Sequence, residues 1–423
     1  MLKGRVFPEP HGQDRAIAPA AAKEFLHRFA EARRISDELF GLIRPEFLYE
    51  RAVAQRHRLV FYLGHLDGFD WNQVGRFHLG LSELHPSFDR LFEAGIDPEP
   101  GALPSDQPSD WPRVEEIRSY CREARNRVDH LVAAASPEVL HIALEHRLMH
   151  VETLAYLIHN MPYEQRAPLA DLADMPESYP PAFTRCEIPA GIATLGKDRQ
   201  KGFGWDNEFE KHLVRVPGFV IDQNKVTNYD YLQFVKAGAK PPHFWKRLNG
   251  RWFYRGMAGL TPLPLYAPVY VNHCEASDYA EWKGLALPTE AQIHRAAFGS
   301  RTGIERRYPW GEMQPTPSVH GNFDFERWDP VPVNATPGGD SGYGVAQLAG
   351  NGWEWTCTPF EPFPGFHPSP TYPGYSADFF DGAHFVLKGA SPRTASCFLR
   401  RSFRNWFRPD YPYVYASFRC VEN

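Results

Sequence analysis

His146 and His150 stand four residues apart in the stretch His-Arg-Leu-Met-His-Val-Glu, residues 146–152. On a helix that spacing puts both imidazoles on one face, one turn apart and aimed at one point. A histidine pair aimed inward from a helix is a common part of metal sites, and imidazole suits zinc, copper, nickel and iron. With 18 histidines in 423 residues, about one such pair is expected by chance. Spacing alone therefore also fits two buried histidines hydrogen-bonded to their neighbours. A third histidine extends the constellation, because His65 shares a face with Tyr62 and Phe69 and so also interrupts an apolar stripe. Glu152 is either a surface carboxylate or the acceptor for the second ring N–H of a metal-bound histidine.

Helices must position these residues. Ser136 suits a helix cap, Pro137 the first helical position and Glu138 the first turn. Val139, Ala143, His146, His150 and Leu154 then form one stripe that runs toward Asn160-Met161-Pro162. The same period over residues 20–43, 57–74 and 112–135 predicts a four-helix bundle in the first 162 residues. Residues 78–111, rich in Pro and Asp, read as an irregular surface insertion. Arg118, Arg122, Arg125 and Arg127 read as either a solvated helix face or one turned toward a domain interface.

The chain length implies two or three domains. Residues 167–184 carry four prolines and few large apolar residues, the composition of a linker between domains 1–166 and 185–423. Beyond it, β-like runs at 188–195 and 213–221 alternate with turn residues, with brief helices near 228–236, 274–283 and 290–298. The predicted class is α+β in two domains. A net charge of −5 gives no basic footprint for nucleic acid, and no apolar run is long enough to span a bilayer. The start of the sequence lacks a signal peptide's apolar core, so the cytoplasm is the expected compartment. The six cysteines show no CxxC and no zinc-finger spacing.

Phe-Tyr-Leu-Gly-His65 followed by His146-xxx-His150-x-Glu152 resembles the DinB-type iron-binding domain of the ergothioneine synthase (EgtB) family. The second half resembles that family's other domain, which is like the formylglycine-generating enzyme (sulfatase-modifying factor) and has a C-type-lectin-like core. The stretches that carry this likeness are Phe203–Glu208, Val226–Asn228, Leu287–Glu290, Gly350–Thr356, Arg404-Asn-Trp406 and Phe418-Arg419. The resemblance covers nearly the whole chain. It implies that His65, His146 and His150 hold Fe(II), supported by Glu152, and that O₂ drives chalcogen attachment to the imidazole of hercynine, Nα-trimethylhistidine. It further implies Tyr372 as the phenol that supplies a proton or electron, Tyr375 against the substrate, and Trp406 facing the quaternary ammonium.

Departures from the pattern bear on the chalcogen donor. In mycobacterial-type members an aspartate directly after Arg-Asn-Trp, and an arginine four residues later, grip γ-glutamylcysteine. Here those positions are Phe407 and Tyr411, and Met149 replaces a glutamine that contacts hercynine. A less charged, more aromatic pocket suits a sugar, and the selenoneine synthase (SenA) branch, whose donor is a selenosugar, is the leading expectation. The alternatives are a sulfoxide synthase using cysteine or γ-glutamylcysteine, a non-enzymatic ligand-binding module, and formylglycine generation. That last chemistry needs a close cysteine pair, whereas Cys397 and Cys420 are well separated in sequence.

Overall fold

Apolar residues three and four apart fold the first part of the chain into helices: α1 (Pro19–Gly41), α2 (Leu59–Trp71), the short α3 (Pro86–Leu91), α4 (Val114–Leu131) and α5 (Pro137–Asn160). The computed structural model describes residues 17–93, 103–169 and 179–422. The chain divides into two compact units, Met1–Leu169 and Ala170–Asn423. Half of the expected linker, residues 170–178, lies outside the described residues. Among those residues, no helix is long and apolar enough to cross a membrane.

The helix α5 starts as its sequence predicts: the Ser136 hydroxyl accepts from Val139 N at 3.5 Å, with Pro137 in the first turn. Tyr62, His65 and Phe69 share one face of α2, yet burial is not confined to that face: every α2 residue except Leu63 is buried. A helix covered on all sides is a central one, and α4 and α5 both pack on α2 while α1 packs on α5. From its end the chain continues as a π-helix, Asn72–His78, where His78 Nε2 accepts from the backbone N–H of Ser136 at 3.0 Å.

The expected surface insertion at 78–111 is corrected by the structure. Asp89 and Phe92 within it are both 0% exposed. Asp89 accepts from the Tyr120 hydroxyl and from Leu84 N, each at 2.8 Å, and its own carbonyl accepts from Asn72 at 2.9 Å. Two of those donors lie far away in sequence, so local composition carried no sign that this aspartate would be satisfied inside.

The second unit alternates short strands and turns: β1 (Arg185–Ile188), β2 (Gly191–Leu195), β3 (His212–Val216), β4 (Phe219–Asp222), β5 (Trp245–Leu248), β6 (Arg251–Arg255), β7 (Leu260–Pro262), β8 (Gly352–Pro359), β9 (Phe385–Ala390), β10 (Asn405–Phe407), β11 (Ala416–Ser417) and β12 (Val421–Glu422). The run 188–195 holds the last residue of β1 and all of β2, and 213–221 holds most of β3 and β4; the breaks fall at Pro189 and at Pro217-Gly218, where proline cannot donate to a ladder. The helices α6 (Asn228–Lys236), α7 (His273–Trp282) and α8 (Glu290–Phe298) fall where expected. The strands form four small sheets, in the orders β1-β4-β12, β2-β3, β5-β6-β7 and β10-β9-β8-β11.

Buried ion pairs hold this loop-rich unit together. Glu354 on β8 accepts from Lys225 and Arg419, each at 2.6 Å, and all three are at most 1% exposed. Glu290 at the start of α8 accepts from Arg404 at 3.1 Å. The Glu208 carboxylate takes Arg400 and Ser402, each at 2.6 Å. Every one of these anchors joins segments distant in sequence.

Candidate functional site

Three imidazoles meet in the helical unit. His65 comes from α2, and His146 and His150 come from successive turns of α5. They are 2%, 3% and 5% exposed. One ligand atom from each lies within 4.8 Å of the others. The ring centroids are 5.0, 5.0 and 4.5 Å apart. Phe69 stacks on His146 at 3.4 Å and Phe61 on His65 at 4.6 Å, so the rings are clamped by apolar neighbours.

Electrostatics keep the cluster neutral. Burial pushes His65 down to about 4, against the pull of its hydrogen bond to the Phe92 carbonyl. Burial likewise drives His146 and His150 well below the usual histidine range, and the neighbouring histidines add to the effect. Neutral imidazole is the form that ligates metals. Three such rings, buried and within reach of one point, fit a divalent transition metal, and a trio on one side of an ion leaves further positions open.

The same two helices carry a buried charge network. Arg147, at 0% exposure, pairs with Asp67 and, at 2.6 Å, with Asp70, both 1% exposed. Arg125 on α4 reaches Asp67 at 2.9 Å and Asp37 on α1 at 2.6 Å. Of the four arginines singled out on α4, Arg125 thus points into the unit, while Arg127 pairs with Glu123 on its own helix. The network fixes α2 against α5 one residue from His146 and two from His65.

Glu152 and Met149 are half-buried on α5, on the same helix as two of the imidazoles. The remaining expected site residues lie in the second unit and form two aromatic groups. Tyr375, 8% exposed, stacks on Trp205 at 3.9 Å and meets Trp406 edge-on at 5.4 Å. Phe360 stacks on Trp406 at 4.2 Å, Phe379 lies 5.5 Å from it, and Tyr372 is 5.9 Å from Tyr375. Phe407 and Tyr411 form the second group, stacked with their ring planes nearly parallel at 2° and centroids 5.5 Å apart.

Buried polar groups aim both loops. Asp206 accepts from the Ser376 hydroxyl and from Ser369 N, which pins the loop bearing Tyr372 and Tyr375. Arg404, beside the rings of Phe363 and Phe360 at 4.0 and 4.9 Å, donates to Glu290 and to the Glu361 carbonyl at 3.1 and 2.9 Å. It thereby fixes the start of Asn405-Trp406-Phe407, which β10 pairs with β9.

Comparison with known proteins identifies the family. Residues 175–423 match the sulfatase-modifying factor enzyme 1-like domain. The hercynine oxygenase of Mycolicibacterium thermoresistibile is 33% identical over 370 residues, covering 80% of each chain. The chain belongs to the hercynine oxygenase family. Another relative is ergothioneine biosynthesis protein 1 of Neurospora crassa, 28% identical over 492 residues, and the chain spans 56% of its length. The formylglycine-generating enzyme of Streptomyces coelicolor is 28% identical over 291 residues, 57% of this chain. As a member of the hercynine oxygenase family the chain is an enzyme, and the reading as a mere binding module falls.

Sequence reasoning missed Phe92, whose carbonyl accepts from His65 Nδ1 at 2.6 Å. No spacing rule reaches a backbone acceptor 27 residues away. It also missed the partners Trp205, Phe360 and Phe379. Trp205 stands inside the Phe203–Glu208 motif, so a signal for it was present; for Phe360 and Phe379 there was none.

Proposed function

We propose that the chain is an Fe(II)- and O₂-dependent enzyme that attaches a chalcogen to the imidazole of hercynine. What carries this reading is three buried, neutral imidazoles within ligand reach of one another, in a chain related to hercynine oxygenases. His65, His146 and His150 would hold the iron, within a DinB-type bundle spanning 1–166, with 167–184 as linker and 185–423 as the second domain. Bound there, Fe(II) would supply a Lewis-acidic, redox-active centre for the imidazole, the chalcogen donor and O₂. Glu152 would support a ligand on its own helix through the outer ring nitrogen.

The chain's own residues would do the rest. Trp406, backed by Phe360 and edged by Tyr375, would offer an aromatic face to the trimethylammonium, a contact contributing about 0.5–2 kcal/mol. Tyr372 would hold and pass a proton at its phenol oxygen, and Met149 would pack against the substrate. The names of the relatives support sulfur, and with it a sulfoxide synthase using cysteine or γ-glutamylcysteine. One observation favours a selenosugar and selenoneine synthesis instead. Phe407 and Tyr411, where an acid and a base would grip a charged peptide, are a stacked aromatic pair, and such a face suits the C–H side of a sugar.

The test is anaerobic Fe(II) loading, then O₂ with hercynine and each donor in turn, read by mass spectrometry of the product. A chalcogen-bearing hercynine product is expected, and its donor decides between the two readings. No product from any donor would overturn both. Neither nucleic acid nor membrane is needed by the reaction, and a cytoplasmic setting suits it.

A further inference from the structure

We propose that Phe92 is a positioning residue for the histidine cluster: its ring, seated against Gly64 and Gly68 of α2, brings its carbonyl oxygen to His65 Nδ1 and leaves Nε2 for the ion. The inference rests on the metal reading above, and adds to it a residue from outside the helices that carry the ligands.

The geometry is specific. The Phe92 carbonyl lies 2.6 Å from His65 Nδ1. A carbonyl oxygen can only accept, and a neutral imidazole has one N–H, so that proton sits on Nδ1 and the Nε2 lone pair is available. Such an outer hydrogen bond is what sets the ring angle and tautomer of a metal-binding histidine.

Two glycines make the approach possible. A Cβ on Gly64 would clash with Cε1, Cζ and Cε2 of the Phe92 ring, and one on Gly68 would lie 3.0 Å from Phe92 Cβ and 3.2 Å from the Tyr120 hydroxyl. The ring cannot simply swing away. Phe88, Tyr120 and Trp111 surround it at 5.7, 6.0 and 6.4 Å. The segment before it is tied down through Asp89 by Tyr120 and Asn72. Glycine is otherwise a poor choice in a helix interior, so the gain must come from what it lets approach.

The first experiment uses the unaltered, metal-free protein. The ring ¹⁵N shifts of His65, assigned by their loss in His65→Gln, are expected to report a proton on Nδ1. A proton on Nε2, or a mixture of tautomers, overturns the proposal. The second follows Co(II) binding by visible absorption. Gly64→Ala, which helix propensity alone would favour, is expected to weaken binding about 10- to 100-fold. The change Phe92→Leu removes the ring atoms that a methyl group added at position 64 would strike, and it keeps the carbonyl. The double variant is expected to bind within about threefold of wild type. Unchanged binding in Gly64→Ala, or a double variant no tighter than Gly64→Ala, overturns the proposal. Should Gly64→Ala fail to fold, the tautomer decides alone. Absence of Co(II) uptake by wild type would sink the metal reading, while the tautomer would still judge the role of Phe92.

Discussion

The two units solve the same problem, holding reactive or binding groups still, in opposite ways. In the helical unit the candidate ligands ride on α2 and α5, and the Arg147–Asp67–Asp70 cluster locks those helices beside the ligands. In the second unit the candidate substrate residues sit on loops and a three-residue strand, each tied to a distant segment by a carboxylate: Asp206, Glu290 or Glu208. A metal demands ligand positions good to a fraction of an ångström, which rigid helices supply better than loops. An aromatic face for a cation is less exacting. The division of labour follows from those tolerances.

The largest effect is expected in the second unit, from Glu354→Gln. It leaves Lys225 and Arg419 buried beside a neutral amide, and loss of one partner of a buried pair costs about 3–5 kcal/mol, with two cations stranded here. Denaturant unfolding is expected to show the second unit melting far earlier, with Co(II) binding kept by the helical unit. Arg147→Met is the counterpart in the first unit. Asp67 keeps Arg125 while Asp70 loses its arginine, so the cost falls near the lower end of about 3–5 kcal/mol. Here Co(II) affinity is expected to fall together with stability. Should it survive, the network is a stabiliser with no part in setting the ligands.

Trp406→Ala is expected to raise KM for hercynine roughly 2- to 30-fold, the range an aromatic–cation contact allows, with metal binding unchanged. The smallest effect concerns Asp340. Burial raises its pKa to about 6, with Arg419 pulling the other way. A carboxyl with a raised folded-state pKa destabilises the fold when ionised; the penalty is complete above about pH 6 and vanishes as pH falls toward the unfolded value near about 4. Asp340→Asn is therefore expected to be the more stable protein at about pH 8, with the difference lost by about pH 4, as read by thermal unfolding.

What the sequence revealed divides along the same line. The meeting of the three histidines was legible in part because helical periodicity places residues four apart on one face, and because a histidine within an apolar stripe stands out. The start of α5 was equally plain from Ser136-Pro137-Glu138. The second unit's class could be read from its short strands and turns, yet the β-like runs at 188–195 and 213–221 are each broken, at Pro189 and at Pro217-Gly218. Its anchors were invisible as anchors, since Glu354, Lys225 and Arg419 are tied by a fold that no local pattern encodes. Phe92 was missed for the same reason inside the first unit: its use is a backbone carbonyl, brought home by two glycines.

The central claim is that His65, His146 and His150 hold one ion. Its most direct test is titration of the metal-free protein with Co(II) by visible absorption, in wild type and in His146→Ala, with circular dichroism to confirm that both are folded. One saturable ion per wild-type chain is expected, with that binding lost in the folded variant. Wild-type protein that takes up no ion, or a variant that binds as tightly as wild type, would contradict the claim.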